Sequence, residues 1–213
     1  MEDGPLLIDG LFKARLDRVW DRLGRAVART GLSPNAVTTA AFALSTVNSF
    51  ALLFHRNLFA FGLVLVFTEL LDGVDGPLAR ATGRSSRFGS YLDAMTDRYK
   101  EVFSLLAVAY VTGYWLVGSL AVSGSLLVSY SHARAAMEGA GGGRPGGWPD
   151  LFERFERVAT LCAGLILSPV LPPRAFFGRD FLSLALWVLA VLSHVTALQR
   201  SLRNAHALRR LDG

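Results

Sequence analysis

Residues 69–101 read ELLDGVDGPLARATGRSSRFGSYLDAMTDRYKE. Asp72 and Asp75 stand three apart near the end of one apolar stretch. Asp93 and Asp97 stand four apart near the start of the next. Either spacing puts a carboxylate pair on one face of a helix. A short turn, about 81–88, joins the two stretches, so the helices run antiparallel and all four carboxylates converge at one depth. An aspartate at membrane depth costs on the order of 2.5–3.5 kcal/mol. Four together require cationic compensation, and Arg80 and Arg98 are too few and too near the surface to supply it. An all-oxygen set suits hard divalent cations, and two carboxylate pairs suggest two ions. Gly76 and Gly89 permit close backbone approach where the helices meet. Spacing alone leaves three readings open: a metal site, a helix pair held by Asp–Arg bridges, and a cation pathway through a transporter.

The surroundings of this stretch are those of a membrane protein. Of 213 residues, 52% are hydrophobic and 18% charged, and the mean hydropathy is +0.37. Soluble domains carry about 25% charge, so the shortfall argues against a soluble enzyme and against a disordered chain. Thirty consecutive uncharged residues separate Glu101 from His132, and 25 separate Arg29 from His55. A membrane helix needs roughly 20 apolar residues. The single cysteine, Cys162, excludes an internal disulfide and makes no case for a cysteine metal site. Met1-Glu2-Asp3 does not open like a signal peptide. No internal repeat stands out, and no nucleic-acid partner is expected.

Six spans fit the pattern, at about 35–54, 58–80, 89–111, 116–138, 151–170 and 181–205. Turn residues at Thr112–Trp115 and Pro172–Asp180 separate spans, and GAGGGRPGGWP at 139–149 is a non-helical loop. Ahead of them, Phe12, Leu16, Val19, Trp20, Leu23 and Val27 recur at helical spacing, with Arg15, Arg18, Arg22, Arg25 and Arg29 on the other side. That pattern predicts an interfacial amphipathic helix over 6–30, its arginines suited to anionic headgroups. The alternative is a basic helix packed on another protein. An even number of spans puts both termini on one side. That side's ends and loops hold 19 of the 22 Lys and Arg residues, which makes it cytoplasmic.

Asp72-x2-Asp75-Gly76-x2-Ala79-Arg80-x8-Gly89-x3-Asp93-x3-Asp97 resembles the signature of the CDP-alcohol phosphotransferase family at every fixed position: eight residues over 26 positions. The likeness extends over about 30–205. It implies a six-helix membrane enzyme, usually a homodimer, with two Mg²⁺ or Mn²⁺ ions. Such enzymes move a substituted phosphate from a CDP-linked donor to an alcohol and release CMP. The residues agree with that chemistry. Metals neutralise a diphosphate and its developing charge, and a carboxylate takes the proton of the attacking hydroxyl. By resemblance Asp72, Asp75, Asp93 and Asp97 face the metals, and Asp97 is also the base. Gly76 and Arg80 resemble cytidine and diphosphate contacts. Ser86 sits where the family often has a hydroxyl residue facing the donor; it is equally well placed to form the turn. Leu32-Ser33-Pro34-Asn35-Ala36-Val37-Thr38 opens the first span, with Ser33 suited to cap it and Pro34 to its first turn. The segment is also similar to the family's Pro-Asn-x-x-Thr stretch, which implies that Asn35 and Thr38 face the nucleotide.

The second half carries the acceptor side. Ser129-Tyr130-Ser131-His132-Ala133-Arg134 ends span four, Glu153-Arg154-Phe155-Glu156-Arg157 opens span five, and Arg200 lies late in span six. The pattern resembles the branch of the family that makes phosphatidylinositol phosphate or archaetidylinositol phosphate. Arginines bind a phosphate dianion bidentately, so His132, Arg134, Arg154, Arg157 and Arg200 are the expected acceptor contacts, lining a basic pocket facing the aspartates. His132 stands where that branch has a basic residue and Ala136 where it has an acidic one. These departures leave other acceptors open, and membrane-edge anchoring also accounts for arginines at helix ends.

The expectation is therefore an all-α integral membrane protein. It has an amphipathic juxtamembrane helix (1–31), a six-helix domain (32–208) and a short tail (209–213). The donor is CDP-diacylglycerol or an archaeal ether analogue held in the bilayer, and the acceptor is a polar alcohol, inositol 1-phosphate first. Glycerol 3-phosphate, inositol or serine as acceptor is the alternative within the family. A cation-coupled transporter is the alternative outside it. The active site and both termini are expected on the cytoplasmic side of the cytoplasmic membrane.

Overall fold

A computed structural model of the chain describes residues 19–140, 150–171 and 180–211. All regular structure among the described residues is helical. Residues 19–28 form α1. There follow α2 (Pro34–His55), α3 (Leu58–Asp72), α4 (Asp75–Thr82), α5 (Arg87–Thr112), α6 (Trp115–Ala135), a π-helical turn (Ala136–Ala140), α7 (Arg154–Leu167) and α8 (Phe181–Arg209). The amphipathic helix expected over 6–30 lies outside the described residues up to position 18. So do 141–149 of the glycine-rich loop and 172–179 of the turn expected before Asp180.

Among the described residues, three helical stretches are long and apolar enough to cross a membrane: Pro34–His55, Trp115–Gly139 and Phe181–Arg209, with mean hydropathies of 1.6, 1.2 and 2.1 over their 18-residue apolar windows. The other three expected spans take other forms. The span at 89–111 is α5, whose first half is charged. The one at 151–170 contracts to the 14 residues of Arg154–Leu167. The one at 58–80 is two helices, broken at Gly73–Val74.

Pro77 explains that break. Proline has no amide proton and its ring clashes with the carbonyl four residues back, here Gly73, so a continuous helix cannot run through it. In the first turn of a new helix both defects are harmless. Pro77 is the third residue of α4, and the Leu78 amide is the first to close a helical bond, donating to Val74 O at 2.9 Å. At the far end Gly83 takes a left-handed φ of 65°, and its amide and that of Arg84 close on the carbonyls of Arg80 and Ala79. Glycine adopts this conformation without strain. After three intervening residues, 84–86, α5 begins.

The chain divides into two compact units. The first comprises residues up to 47 and 66–100. Within it Ser33 Oγ accepts from the Ala36 amide at 3.2 Å, capping α2 as expected. α1 lies directly on α4: a Cβ at Gly24 would come within 2.7 Å of Pro77, so glycine is required at this approach. The rings of Phe42 and Tyr99 meet at 6.3 Å.

The second unit comprises residues 48–65 and 101–213. Here α8 packs against α6 and α7. The core includes Val117, Ala121 and Val128 of α6, Leu161 and Leu165 of α7, and Leu182, Leu186 and Leu189 of α8. The backbones approach closely through small residues, as membrane helices do. A Cβ at Gly124 would lie 2.9 Å from that of Ser193, and one at Gly164 would lie 2.7 Å from that of Ala185. Asp180 caps α8 by accepting from the Ser183 amide at 2.8 Å and also accepts from the Tyr114 hydroxyl. His194, inside α8, is held by the Leu120 carbonyl at 3.1 Å. Cys162 is buried within α7.

Candidate active site

The carboxylates of the first unit converge. Asp72 ends α3, Asp75 begins α4 and Asp93 lies in the first half of α5. Each offers an oxygen within 4.8 Å of the others. The helix break does not separate Asp72 from Asp75; it lets the second be aimed independently of the first. Asp72 is 3% exposed, whereas Asp75 and Asp93 are half-buried. Thr38, on α2 and 3% exposed, places its hydroxyl 2.5 Å from Asp75 Oδ2 and 3.2 Å from Pro34 O. A hydroxyl that donates to a carboxylate fixes its orientation. Three carboxylates from three helices, buried enough to be desolvated and clustered within one coordination radius, are a donor set that fits a hard divalent cation.

Asp97 is 8% exposed and is not part of that trio of ligand atoms. It shares an ammonium with Asp72 instead. Lys100 Nζ lies 2.6 Å from Asp72 Oδ2 and 3.0 Å from Asp97 Oδ1, and the lysine itself is 2% exposed. Lys100 thus joins Arg80 and Arg98 as a cation compensating the aspartates, and it is the one placed between two of them. It sits three residues beyond Asp97, so one helical turn brings it back beside the carboxylate.

Beside the trio is a cavity of about 250 Å³. Asn35, Thr38, Gly76, Arg80 and Ser86, the five residues expected at the CDP-linked donor, all line it, together with Asp75 and Asp93. Arg84 and Ser90 also line it and were not singled out in the sequence. Gly89 is where the cavity wall is tightest. A Cβ there would come within 2.9 Å of Asn35 Oδ1 and 3.1 Å of Ser86 Oγ. Ser86 accepts from the Gly89 amide at 3.0 Å, so it does act as the turn residue that starts α5 while facing the cavity. Arg80 is exposed and its guanidinium pairs with Asp21 of α1 at 3.3 Å.

The expected acceptor residues lie in the second unit and are less uniform. His132 and Arg134 are exposed near the end of α6, where Arg134 pairs with Glu138. Arg154 is half-buried at the start of α7. Arg157 is 3% exposed; its guanidinium donates to Glu101 at 2.8 Å and to the Phe152 carbonyl at 3.2 Å, a bracing position. Arg200 donates to the Val128 carbonyl at 3.1 Å and to Asp150. Arg203, not singled out in the sequence, shares Asp150 with it. Burial opposes ionisation of Asp150, but the hydrogen bonds and charges of Arg200 and Arg203 outweigh it and hold the carboxyl below its ordinary range. Asp150 directly follows the glycine-rich loop, which gave no sign that it would order two arginines.

An all-helical chain with membrane-length helices, an oxygen-only trio and an adjoining polar cavity defines a class, and the comparison with known families agrees with it. The family model for CDP-alcohol phosphatidyltransferases matches residues 31–198, and the chain belongs to that family of transferases. It is 31% identical over 182 residues to archaetidylinositol phosphate synthase of Pyrococcus horikoshii, covering 84% of this chain and 87% of that protein. It is 34% identical over 206 residues to phosphatidylinositol phosphate synthase of Mycobacteroides abscessus, covering 92% of this chain and 86% of that one. Among solved structures it is similar to phosphatidylinositol phosphate synthase of Mycobacterium tuberculosis. The form with CDP-DAG bound gives a TM-score of 0.71 at 28% identity, over 90% of this chain and 94% of that one. The complex with manganese and citrate gives 0.73 at 28% identity, over 89% and 88%.

Proposed function

We propose that this enzyme transfers a phosphatidyl or archaetidyl group from a CDP-linked lipid to inositol 1-phosphate, releasing CMP. One observation carries the donor half of this reading. The five residues expected at the donor and two of the clustered aspartates line a single cavity. The acceptor half is supported by relatives named for inositol phosphate products.

Asp72, Asp75 and Asp93 would hold a divalent metal, Mg²⁺ or Mn²⁺, with a second ion reaching Asp97. When bound, the metal neutralises the diphosphate and stabilises charge on the transferring group. Thr38 orients Asp75. Asn35, Gly76 and Ser86 receive the nucleotide, and Arg80 the diphosphate. Asp97 takes the proton of the acceptor hydroxyl, whose oxygen forms a bond to the β-phosphorus as the bond to the CMP oxygen breaks. The acceptor phosphate is assigned to His132, Arg134, Arg154 and Arg200. Arg157, buried against Glu101, supports this set rather than touching the ligand.

The same reading extends to the membrane. Residues 32–208 form a six-span catalytic domain, 1–31 an interfacial helix and 209–213 a tail. The termini and active site face the cytoplasm of the cytoplasmic membrane, and the enzyme is a homodimer. The arginine distribution supports the sidedness.

The test is CMP release by the purified chain in detergent with CDP-diacylglycerol and Mg²⁺. The acceptor panel is inositol 1-phosphate, inositol, glycerol 3-phosphate and serine, repeated with an ether-linked donor. Release that requires inositol 1-phosphate is the expected result. Release with a different acceptor alone overturns the acceptor and leaves the metal chemistry. No release with either donor overturns both.

A further inference from the structure

Lysine occurs at only two positions in the chain, 13 and 100. Lys100 stands beyond the last fixed position of the family signature, yet it is drawn into the centre of the aspartate cluster. Its side chain is 1% exposed. Its ammonium spans two carboxylates from different helices, 2.6 Å from Asp72 of α3 and 3.0 Å from Asp97 of α5. Lys100 lies in the middle of α5, where a long, flexible lysine ordinarily reaches outward to keep its charge in water. Burying the charge is costly unless it is closely paired. The inward placement is therefore a specific arrangement. The two carboxylates it joins are one member of the ligand trio and the one aspartate outside the trio.

We propose that Lys100 is a resident cation of this cluster, holding Asp72 and Asp97 together before metal arrives and occupying the place a second ion would take. The proposal rests on the reading of these aspartates as metal ligands. It makes the two ion positions unequal. The trio Asp72, Asp75 and Asp93 is open to a first ion. An ion that engages Asp97 has to displace the ammonium, so it binds more weakly in the absence of substrate. Two unit charges at contact distance influence each other strongly in a poorly solvated site. The contact with Asp72 bears on both ions, whereas displacement from Asp97 falls on the second alone, so removing the ammonium changes the second affinity more than the first.

Mn²⁺ titration followed by electron paramagnetic resonance, on the full chain in detergent without substrate, tests this. Wild type is expected to bind one ion tightly and a second at least about tenfold more weakly. Lys100→Met is expected to tighten the second by about tenfold or more. Its metal-free form should also melt at lower temperature and recover when Mn²⁺ is added. A second affinity that is unchanged or weaker in Lys100→Met overturns the proposal, because a merely structural lysine lowers stability without improving metal binding. A second measurement uses wild type alone, in case the variant fails to fold. With carbon-13 in the lysine side chains the protein gives two signals, Lys13 serving as internal control. Mg²⁺ added through the second binding phase is expected to move the Lys100 signal; a stationary signal overturns the proposal. Wild type that binds no Mn²⁺ overturns the metal reading and the Lys100 proposal with it, whereas Mn²⁺ binding indifferent to position 100 overturns the Lys100 proposal alone.

Discussion

Thr38 and Asp75, 37 residues apart, are joined by a hydroxyl–carboxylate hydrogen bond of 2.5 Å that ties the first turns of α2 to the start of α4. Thr38→Val keeps the shape and removes the donor. Losing a buried hydrogen bond to a charged group costs about 1–3 kcal/mol, which corresponds to about a 5- to 150-fold fall in kcat/KM. Steady-state CMP release and Mn²⁺ binding are expected to weaken together. Thr38→Ser is expected to restore most of both; a serine variant as poor as valine would assign the effect to packing.

Asp97→Asn is expected to remove turnover by a factor of about 10² to 10⁴, the usual contribution of a general base. Binding of the CDP-linked lipid, measured by calorimetry, should survive largely intact. A variant that loses binding to the same degree as turnover would show that Asp97 positions the donor and is not the base.

Gly89→Ala places a methyl group 2.9 Å from Asn35 Oδ1 and 3.1 Å from Ser86 Oγ. Both side chains line the donor cavity, so they are expected to shift into it. KM for the CDP-linked lipid should rise about tenfold, with kcat less affected, since a small displacement of positioning groups has large kinetic effects. Adding Asn35→Ala should relieve the clash, and the double-variant cycle should show coupling between the two positions. Simple additivity would mean that Gly89 acts through the backbone instead.

Asp150 supplies a pH signature. Its folded-state carboxyl is held below the ordinary value of 3.8, with burial opposing and Arg200 and Arg203 prevailing. The unfolded chain then takes up a proton before the folded one does, so folded stability falls as pH drops. The contribution is fully present above the ordinary value. It begins to fade as pH falls through it and is gone below the lowered value. Thermal melts from pH 7 down to about pH 3 should therefore be shallower at the acid end for Asp150→Asn than for wild type. Equal slopes would show that the arginine pair does not depend on this charge.

Much of the site could be read from the chain because its functional residues are packed into one short stretch. The aspartate spacings place the carboxylates without any knowledge of packing, and Asn35, Thr38, Gly76, Arg80 and Ser86 do gather at one cavity. What escaped were features decided by tertiary context. Pro77 marks a helix restart, but the apolar run expected to span 58–80 hides it when hydropathy alone is read. Lys100 falls in the middle of the span expected at 89–111, and only the packing of α5 shows that it turns inward between two aspartates. Asp150 follows a glycine-rich loop, and only folding brings Arg200 and Arg203 to it from 50 and 53 residues away. Arg154 and Arg157 look alike in the sequence, and only the structure shows that Arg157 is 3% exposed and braced on Glu101.

On the topology proposed above, ending α3 at Asp72 sinks the reacting groups below the water line. Fifteen residues rise about 22 Å at 1.5 Å each, against a hydrocarbon thickness of about 30 Å. A helix that starts at the far boundary stops roughly 8 Å short of the near one. The lipid donor has little distance to travel, because its head already rests near that depth. The soluble acceptor must instead descend into a dent in the membrane surface, and stray water meets the same obstacle. A recessed floor thus favours transfer to a bound alcohol over wasteful hydrolysis of the activated lipid.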